Sequence, residues 1–97
     1  MATLLTGGEL DAAIASLDGW SGDATGLRRT VELPGFPQAI AVVDRVAVVA
    51  EEMDHHPDMD IRWNTLTFSC VTHAMGGVTE RDVRLARQIN EIVAAAQ

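Results

Sequence analysis

The sequence predicts an α+β fold in which three helices pack on one face of a four-stranded antiparallel sheet, in the order α-β-β-α-β-β-α. Apolar residues recur at helical spacing in three segments, and between these segments apolar and polar residues alternate as they do in strands. Two hairpins interleaved with amphipathic helices favour an antiparallel sheet that is covered on one side. We expect one domain over residues 1–97, because a smaller piece could not bury a core of its own.

The first two helices are predicted from their apolar stripes. The first runs over about residues 8–17, and Thr6 ahead of it begins a Thr-x-x-Glu sequence with the spacing of a capping box. The second begins at Pro37, which suits a first helical position, and its stripe continues to Met53. Pro57 then forces the end, since the residue before a proline avoids the helical region. The many valines of this helix are poor helix formers, so packing must override propensity.

The first hairpin is predicted between the first two helices. A short strand begins near Trp20, turn-forming residues fill positions 21–26, and a second strand follows over 27–33. Arg29 interrupts the apolar side of this second strand. We therefore expect the strand over residues 27–33 at an edge of the sheet.

The second hairpin and the last helix complete the order. Apolar and polar residues alternate over 58–64, the chain turns near Asn64-Thr65, and a second alternating strand ends at Thr72-His73. Thr79 is a good N-cap, with acids in the first turn behind it, where the helix dipole favours them. An apolar stripe over residues 85–96 then predicts the third helix.

Composition excludes several classes of partner. Seven arginines and no lysine stand against fourteen acids, for a formal net charge of −7. Phosphate backbones and anionic membranes are bound by clustered cations, so we expect neither nucleic acid nor membrane as a partner.

The start of the chain lacks a signal peptide's basic and apolar regions, and no apolar run approaches the ~20 residues of a membrane span. The single cysteine, Cys70, cannot form an internal disulfide. We expect a cytoplasmic protein.

The chemistry is predicted to lie at the three histidines. His55, His56 and His73 fall within nineteen residues, at the predicted ends of two separate elements, which is where functional groups are usually displayed. Taken singly, each could be an ordinary surface histidine. Histidine exchanges protons near neutral pH, and acids flank the His pair and favour its protonated form. The cluster therefore favours acid/base catalysis, as in an elimination or an isomerisation.

Metal binding and nucleophilic catalysis have less support. Three histidines and a carboxylate could hold zinc, but adjacent residues rarely direct both rings at one ion. No His-Glu-x-x-His or Cys-x-x-Cys spacing is present. Cys70 lies on the apolar side of a strand and is interpreted as a core residue. Ser69 is not surrounded by Gly-x-Ser-x-Gly. We expect no metal and no cofactor.

The spaced set of residues around the histidines resembles the signature of pterin-4a-carbinolamine dehydratases. It consists of Glu51-Glu-Met-Asp-His-His-Pro57, Trp63, Thr72-His73 and Thr79-Glu-Arg-Asp82, with Gly19-Trp20 earlier in the chain. Seventeen positions separate His56 from His73, and nine separate His73 from Asp82. The resemblance extends over essentially the whole chain, and the order of elements matches the family's fold.

The resemblance implies an activity and a role for each candidate residue. The family removes water from a 4a-hydroxytetrahydropterin to give the quinonoid dihydropterin, which recycles the cofactor of aromatic amino acid hydroxylases. By carry-over, His55 and His73 are the candidate acid and base and His56 orients the substrate, while Asp82 either holds a histidine or accepts a substrate proton. The resemblance also implies a homodimer or homotetramer. The candidate substrate contacts are Glu51, Asp54, Pro57 and Thr72.

Departures from the family's pattern leave alternatives open. Met59 replaces an aromatic residue that often follows His-His-Pro, and Met75 stands in the variable loop after His73. These changes bear on affinity and substrate range more than on the reaction. The alternatives are a non-catalytic dimerisation or assembly module on the same fold, and a dehydratase-like protein of another pterin pathway such as molybdopterin metabolism. A metal-dependent hydrolase has the least support.

Overall fold

The computed structural model describes residues 3–97 and confirms the predicted order of elements. A short 3-10 helix, His73–Met75, lies between the last strand and the last helix. The three helices are α1 (Gly7–Ala15), α2 (Phe36–Met53) and α3 (Glu80–Ala96). The four strands are β1 (Ser21–Asp23), β2 (Gly26–Glu32), β3 (Asp58–Arg62) and β4 (Thr65–Cys70).

The four strands form one antiparallel sheet in the order β1-β2-β4-β3. The pairing of Leu27 with Cys70 and of Val31 with Leu66 fixes the register of the central pair. The prediction that β2 is an edge strand is wrong, because β2 lies between β1 and β4. Its Arg29 is accommodated on the helix-covered face, where Nη1 donates to Oδ1 of Asn90 in α3 at 2.6 Å.

The core lies between one face of the sheet and the three helices. Leu66, Phe68 and Cys70 of β4 are buried at alternate positions, as a strand with one covered face requires. Each such aliphatic or aromatic side chain contributes about 1.5–3 kcal/mol by burial. Packing does override the weak helix propensity of valine in α2, since Val42 and Val46 are fully buried. The opposite face of the sheet is polar, and the helices therefore all lie on one side.

The first helix differs from its prediction at both ends. It spans Gly7–Ala15, and the side chain of Thr6 makes no capping hydrogen bond, so the predicted capping box at this helix is wrong. Leu17 and Trp20 follow the helix but are still buried. Nε1 of Trp20 donates to Oδ1 of Asn90 at 2.7 Å, which ties the start of the first hairpin to α3.

The second hairpin turns one residue earlier than predicted, at Trp63-Asn64. Trp63 has φ of +52° and is 74% exposed. Ile61 is also exposed, whereas Met59 packs partly against the core. The end of β3 nearest the turn is therefore less covered by the helices than the central strands are.

Candidate functional site

The end of α2 fixes the backbone from which His55 and His56 project. Asp54 adopts the left-handed conformation (φ 50°, ψ 44°), its N–H donates to the carbonyl of Glu51, and the N–H of His55 donates to the carbonyl of Ala50 at 3.0 Å. These two bonds form a Schellman motif. Glycine usually takes the left-handed position, although aspartate tolerates it better than most residues. The two histidines therefore leave the helix in a defined direction, at some cost in backbone strain.

The start of α3 buries a carboxylate. Thr79 is the N-cap, as predicted, and its Oγ1 accepts the N–H of Arg81 at 3.2 Å. Oδ2 of Asp82 accepts the N–H of Thr79 at 2.9 Å, which completes a capping box. Asp82 is fully buried. A buried carboxylate is costly unless it is hydrogen-bonded, and the remaining bonds to Asp82 come from the other two candidate segments.

His55 donates to this carboxylate. Nε2 of His55 lies 2.6 Å from Oδ1 of Asp82, and Oγ1 of Thr72 donates to Oδ2 at 2.8 Å. An ionised carboxylate accepts only, so Thr72 gives its single proton to Asp82. The 2.7 Å contact between the hydroxyls of Thr72 and Thr79 must then be a donation from Thr79. The chain of hydrogen bonds thus has one direction, and the proton of the neutral His55 ring is on Nε2.

The other ring nitrogen of His55 faces the solvent. Within residues 3–97, Nδ1 of His55 has no hydrogen-bond partner, and no side-chain nitrogen or oxygen of these residues is both buried and unpartnered. Because Nδ1 has no partner, it cannot be one of the buried atoms of His55, and it must belong to the 7% of the residue that is exposed. A ring held through Nε2 with Nδ1 open can accept a proton when neutral and donate one when charged.

His56 and His73 are more exposed. Nε2 of His56 lies 2.8 Å from Oε1 of Glu51, and both side chains are largely exposed. His73 begins the short 3-10 helix, and between residues 3 and 97 its ring makes no hydrogen bond. Glu51 therefore orients His56, while the ring of His73 is available to a ligand.

One surface depression of about 260 Å³ brings the three histidines together. Glu51 and Pro57 do not line it; Glu51 reaches it through His56, and Pro57 follows His56 in the chain. Asp82 lies behind His55, without contact with the opening. The predicted residues thus line this depression or lie next to it, and their roles stay predictions. The lining residues are Asp54, His55, His56, Val71, Thr72, His73, Ala74 and Arg81.

Arg81 lines the depression and was not predicted as a site residue. Its Nη2 donates to the carbonyl oxygens of Asp54 at 2.6 Å and Met53 at 3.2 Å. The sequence does hold a signal for it, because a cation in the first turn of a helix opposes the helix dipole. Such a residue is expected to have a contact outside its own helix.

Cys70 has no nucleophilic role in this geometry. It is buried in the core, and burial, with the charges of Asp82 and Asp58, raises the pKa of its thiol to about 12. The nucleophile is the thiolate, so the side chain is unreactive near neutral pH. Among the described residues, no three His, Cys, Asp or Glu side chains are arranged as ligands of a metal ion. No helix within residues 3–97 has the length and apolar character that crossing a membrane demands.

Comparison with known proteins finds the same family that the sequence signature resembles, over nearly the whole chain. Residues 3–92 match the family model described as Pterin 4 alpha carbinolamine dehydratase. A Mycolicibacterium smegmatis protein, for which pterin-4-alpha-carbinolamine dehydratase is the candidate name, is 53% identical over 90 residues, covering 93% of this chain and 96% of that one. A Mycobacterium tuberculosis protein with the same candidate name is 48% identical over 92 residues, covering 95% and 98%.

Two solved structures share the fold. A crystal structure described as a transcriptional coactivator/pterin dehydratase from Brucella melitensis superimposes with a TM-score of 0.90 at 32% identity, covering 94% of this chain and 99% of that one. A pterin dehydratase-like protein identified as a RuBisCO assembly factor in the alpha-carboxysome superimposes with a TM-score of 0.63 at 17% identity, covering 76% and 86%. The second likeness is one of fold alone.

Proposed function

The chain belongs to the pterin 4 alpha carbinolamine dehydratase family, and on that premise we propose that it removes water from a 4a-hydroxytetrahydropterin to give the quinonoid dihydropterin. The observation that carries the proposal is the depression in which His55, held through Nε2 by a buried carboxylate, lies with the open ring of His73. Two proton-exchanging groups at one site are what an elimination of water needs.

The chemistry requires one proton to be given and one to be taken. The C4a–O bond breaks as an acid protonates the hydroxyl, and the N5 lone pair forms the C4a=N5 bond. The leaving group is water, and the ring carries a positive charge until a base removes a ring proton. The site returns to its starting charge when one group gives a proton and another takes one, so no co-reactant is consumed.

His55 and His73 are the proposed acid and base. His55 lines the depression, and its Nδ1 is the proposed proton-exchanging atom. The one-directional hydrogen bonds from Thr72 and Thr79 into Asp82 hold the tautomer of the ring. Asp82 is fully buried behind His55. Its position favours holding the imidazole over accepting a proton from the substrate, as in other carboxylate–histidine pairs.

The proposed substrate contacts come from the end of α2. Asp54 lines the depression, and its carboxylate makes no hydrogen bond to any residue between 3 and 97. A pterin ring carries N–H donors, which a carboxylate accepts strongly. Glu51 holds His56, which orients the substrate. Pro57 restricts the backbone of His56, so its contribution to binding is proposed to be indirect.

We extend the proposal to setting and assembly. The reaction is placed in the cytoplasm, in the recycling of the pterin cofactor of aromatic amino acid hydroxylases, as the family resemblance implies. A homodimer or homotetramer is proposed through the groove between α2 and α3, where Val48 is 60% exposed. Arg45 and Glu52 are seven residues apart and centred on Val48-Val49. Two antiparallel copies of α2 would therefore pair each Arg45 with a Glu52.

A non-catalytic assembly module is the second candidate function. It is favoured by one observation, the shared fold with a protein identified as a RuBisCO assembly factor. The presence of all three histidines, His55, His56 and His73, supports the enzyme instead, because a module without catalysis has no need of them. Asp82 does not discriminate, since it also caps α3. A dehydratase of another pterin pathway would keep this site and differ in how it binds the substrate's side chain.

The test is the decay of a 4a-hydroxytetrahydropterin, followed by stopped-flow ultraviolet absorbance with the protein, both in the absence and in the presence of a chelator. The proposal expects decay faster than the spontaneous rate, in proportion to protein concentration. Decay at the spontaneous rate, in a sample that is folded by circular dichroism, would instead support the assembly module. Acceleration that the chelator abolishes would return metal-dependent chemistry to consideration.

A further inference from the structure

The turn that carries His55 and His56 has carbonyl groups that its own helix leaves without partners. The last four carbonyls of a helix lack intrahelical donors, and the Schellman motif of α2 satisfies those of Ala50 and Glu51. The carbonyls of Met53 and Asp54 lie beyond that motif. Both are bound by the guanidinium of Arg81, which belongs to α3. The histidine-bearing turn is thus attached to α3 by the side chain of Arg81, whereas its own backbone bonds attach it to α2.

The position of Arg81 in α3 is unfavourable without this contact. A cation in the first turn opposes the positive end of its own helix dipole, whereas the carbonyl end of α2 is the negative end of another. Within residues 3–97, Arg81 forms no ion pair with a carboxylate. The carbonyls of Met53 and Asp54 are therefore the groups that stabilise its charge. Arg84, one turn later, is exposed and makes no hydrogen bond in the described chain.

Asp82 alone does not hold the turn. It binds the ring of His55. His56 has a single partner, Glu51, which belongs to α2 and is largely exposed. The carboxylate of Asp54 has no partner among residues 3–97. The hydrogen bond from the guanidinium of Arg81 to the carbonyl oxygen of Asp54 is consequently the contact that fixes both groups relative to α3 and to the depression.

We propose that Arg81 is a positioning residue that clamps the turn over Asp54–His56 to α3, and that it acts on substrate binding more than on proton transfer. The inference rests on the proposed dehydratase function. Loss of the clamp loosens His56 and Asp54, the proposed substrate contacts, while the ring of His55 keeps its bond to Asp82. The effect is therefore expected mainly in KM, with a smaller effect on kcat and an unchanged pH profile.

The variants are Arg81→Met, which removes the donors at similar length, and Arg81→Lys, which keeps the charge but not the planar fork. Arg84→Met is the matched control, with the same change one turn along the same helix. Arg81→Met is expected to raise KM about tenfold, as loss of a charge-assisted hydrogen bond does. The same variant is expected to lower kcat less than threefold, as a rough bound for a group that does not transfer protons. Arg81→Lys should recover part of the loss, and Arg84→Met should match wild type.

Amide hydrogen exchange of Asp54 and His55 tests the clamp without an assay of turnover. Faster exchange in Arg81→Met but not in Arg84→Met supports the clamp, even if the wild type proves inactive and the proposed function fails. Wild-type KM together with wild-type exchange in Arg81→Met would overturn the inference. A kcat loss larger than the KM increase, or a shifted pH profile, would also overturn it, because Arg81 would then act on proton transfer. If Arg81→Met does not fold, the same readouts on Arg81→Lys decide.

Discussion

His55 and Asp82 join the end of α2 to the start of α3 through a 2.6 Å contact between Nε2 and Oδ1. The two residues are 27 positions apart, and the second hairpin lies between them. The carboxylate has a second function, because its other oxygen caps α3 through the N–H of Thr79. Stability and the proposed chemistry therefore depend on the same buried side chain.

The first prediction concerns Asp82→Asn. The amide keeps the shape of the carboxylate but carries an NH₂ group, so it can donate to Nε2 of His55 and move the ring proton to Nδ1. That tautomer cannot accept a proton at the depression. We expect kcat to fall about 10²- to 10⁴-fold, the usual contribution of a general acid or base, measured by stopped-flow absorbance. The exposed Asp44→Asn is the control, and equal kcat in the two variants would remove Asp82 from the mechanism.

The second prediction separates strain from binding at Asp54. Asp54→Gly should raise the free energy of unfolding by up to about 1 kcal/mol, because glycine adopts the left-handed conformation without the Cβ clash. Asp54→Asn keeps that conformation at similar cost but loses the charge. Urea unfolding measures the stability of both. If the carboxylate contacts the substrate, both variants should show a higher KM, and a wild-type KM in Asp54→Asn would contradict that role.

The third prediction concerns the thiol of Cys70. Burial raises its pKa from 9.0 to about 12, so the thiol should not react with a disulfide reagent at mildly alkaline pH until the protein is unfolded. The neutral thiol is favoured in the folded state. Its contribution to stability is therefore complete below 9.0 and is lost as the pH rises toward about 12. Rapid labelling of the native protein would contradict the burial described for this residue.

The fourth prediction tests the proposed interface. Val48→Glu places a charge at the centre of the groove between α2 and α3 and should shift the protein to a smaller species in sedimentation velocity. Ala47→Glu, at the neighbouring exposed position, adds the same charge off that face and should leave the assembly as it is. Wild-type assembly in Val48→Glu would mean that another surface mediates the contact.

Periodicity was sufficient for the elements, but several of their contacts could not be predicted from it. Alternation identified β2, but Arg29 on its apolar side suggested an edge strand, because the partner of Arg29, Asn90 in α3, lies 61 residues later. Thr6 and Thr79 have comparable capping sequences, but only Thr79 forms the box, in which Asp82 also binds Thr72 and His55. Spacing along the chain does not show such long-range partners.

The sequence predicted which residues form the candidate site better than it predicted the hydrogen bonds between them. The three histidines and Asp82 were named from sequence, and the fold brings the histidines to one depression with Asp82 behind His55. Arg81 was part of the family signature but had no assigned role. Its place in the first turn of α3 indicates a contact outside that helix, but its partners are backbone carbonyls at the end of α2, and no side-chain pattern in a sequence identifies a backbone acceptor.

The central claim is that His55 and His73 exchange protons with a 4a-hydroxytetrahydropterin. The most direct test compares stopped-flow kcat for wild type, His55→Ala, His73→Ala and His56→Ala under one set of conditions. The account predicts a loss of about 10²- to 10⁴-fold in each of the first two variants, and a change mainly in KM for His56→Ala. Wild-type kcat in either His55→Ala or His73→Ala, with the fold intact, would contradict it.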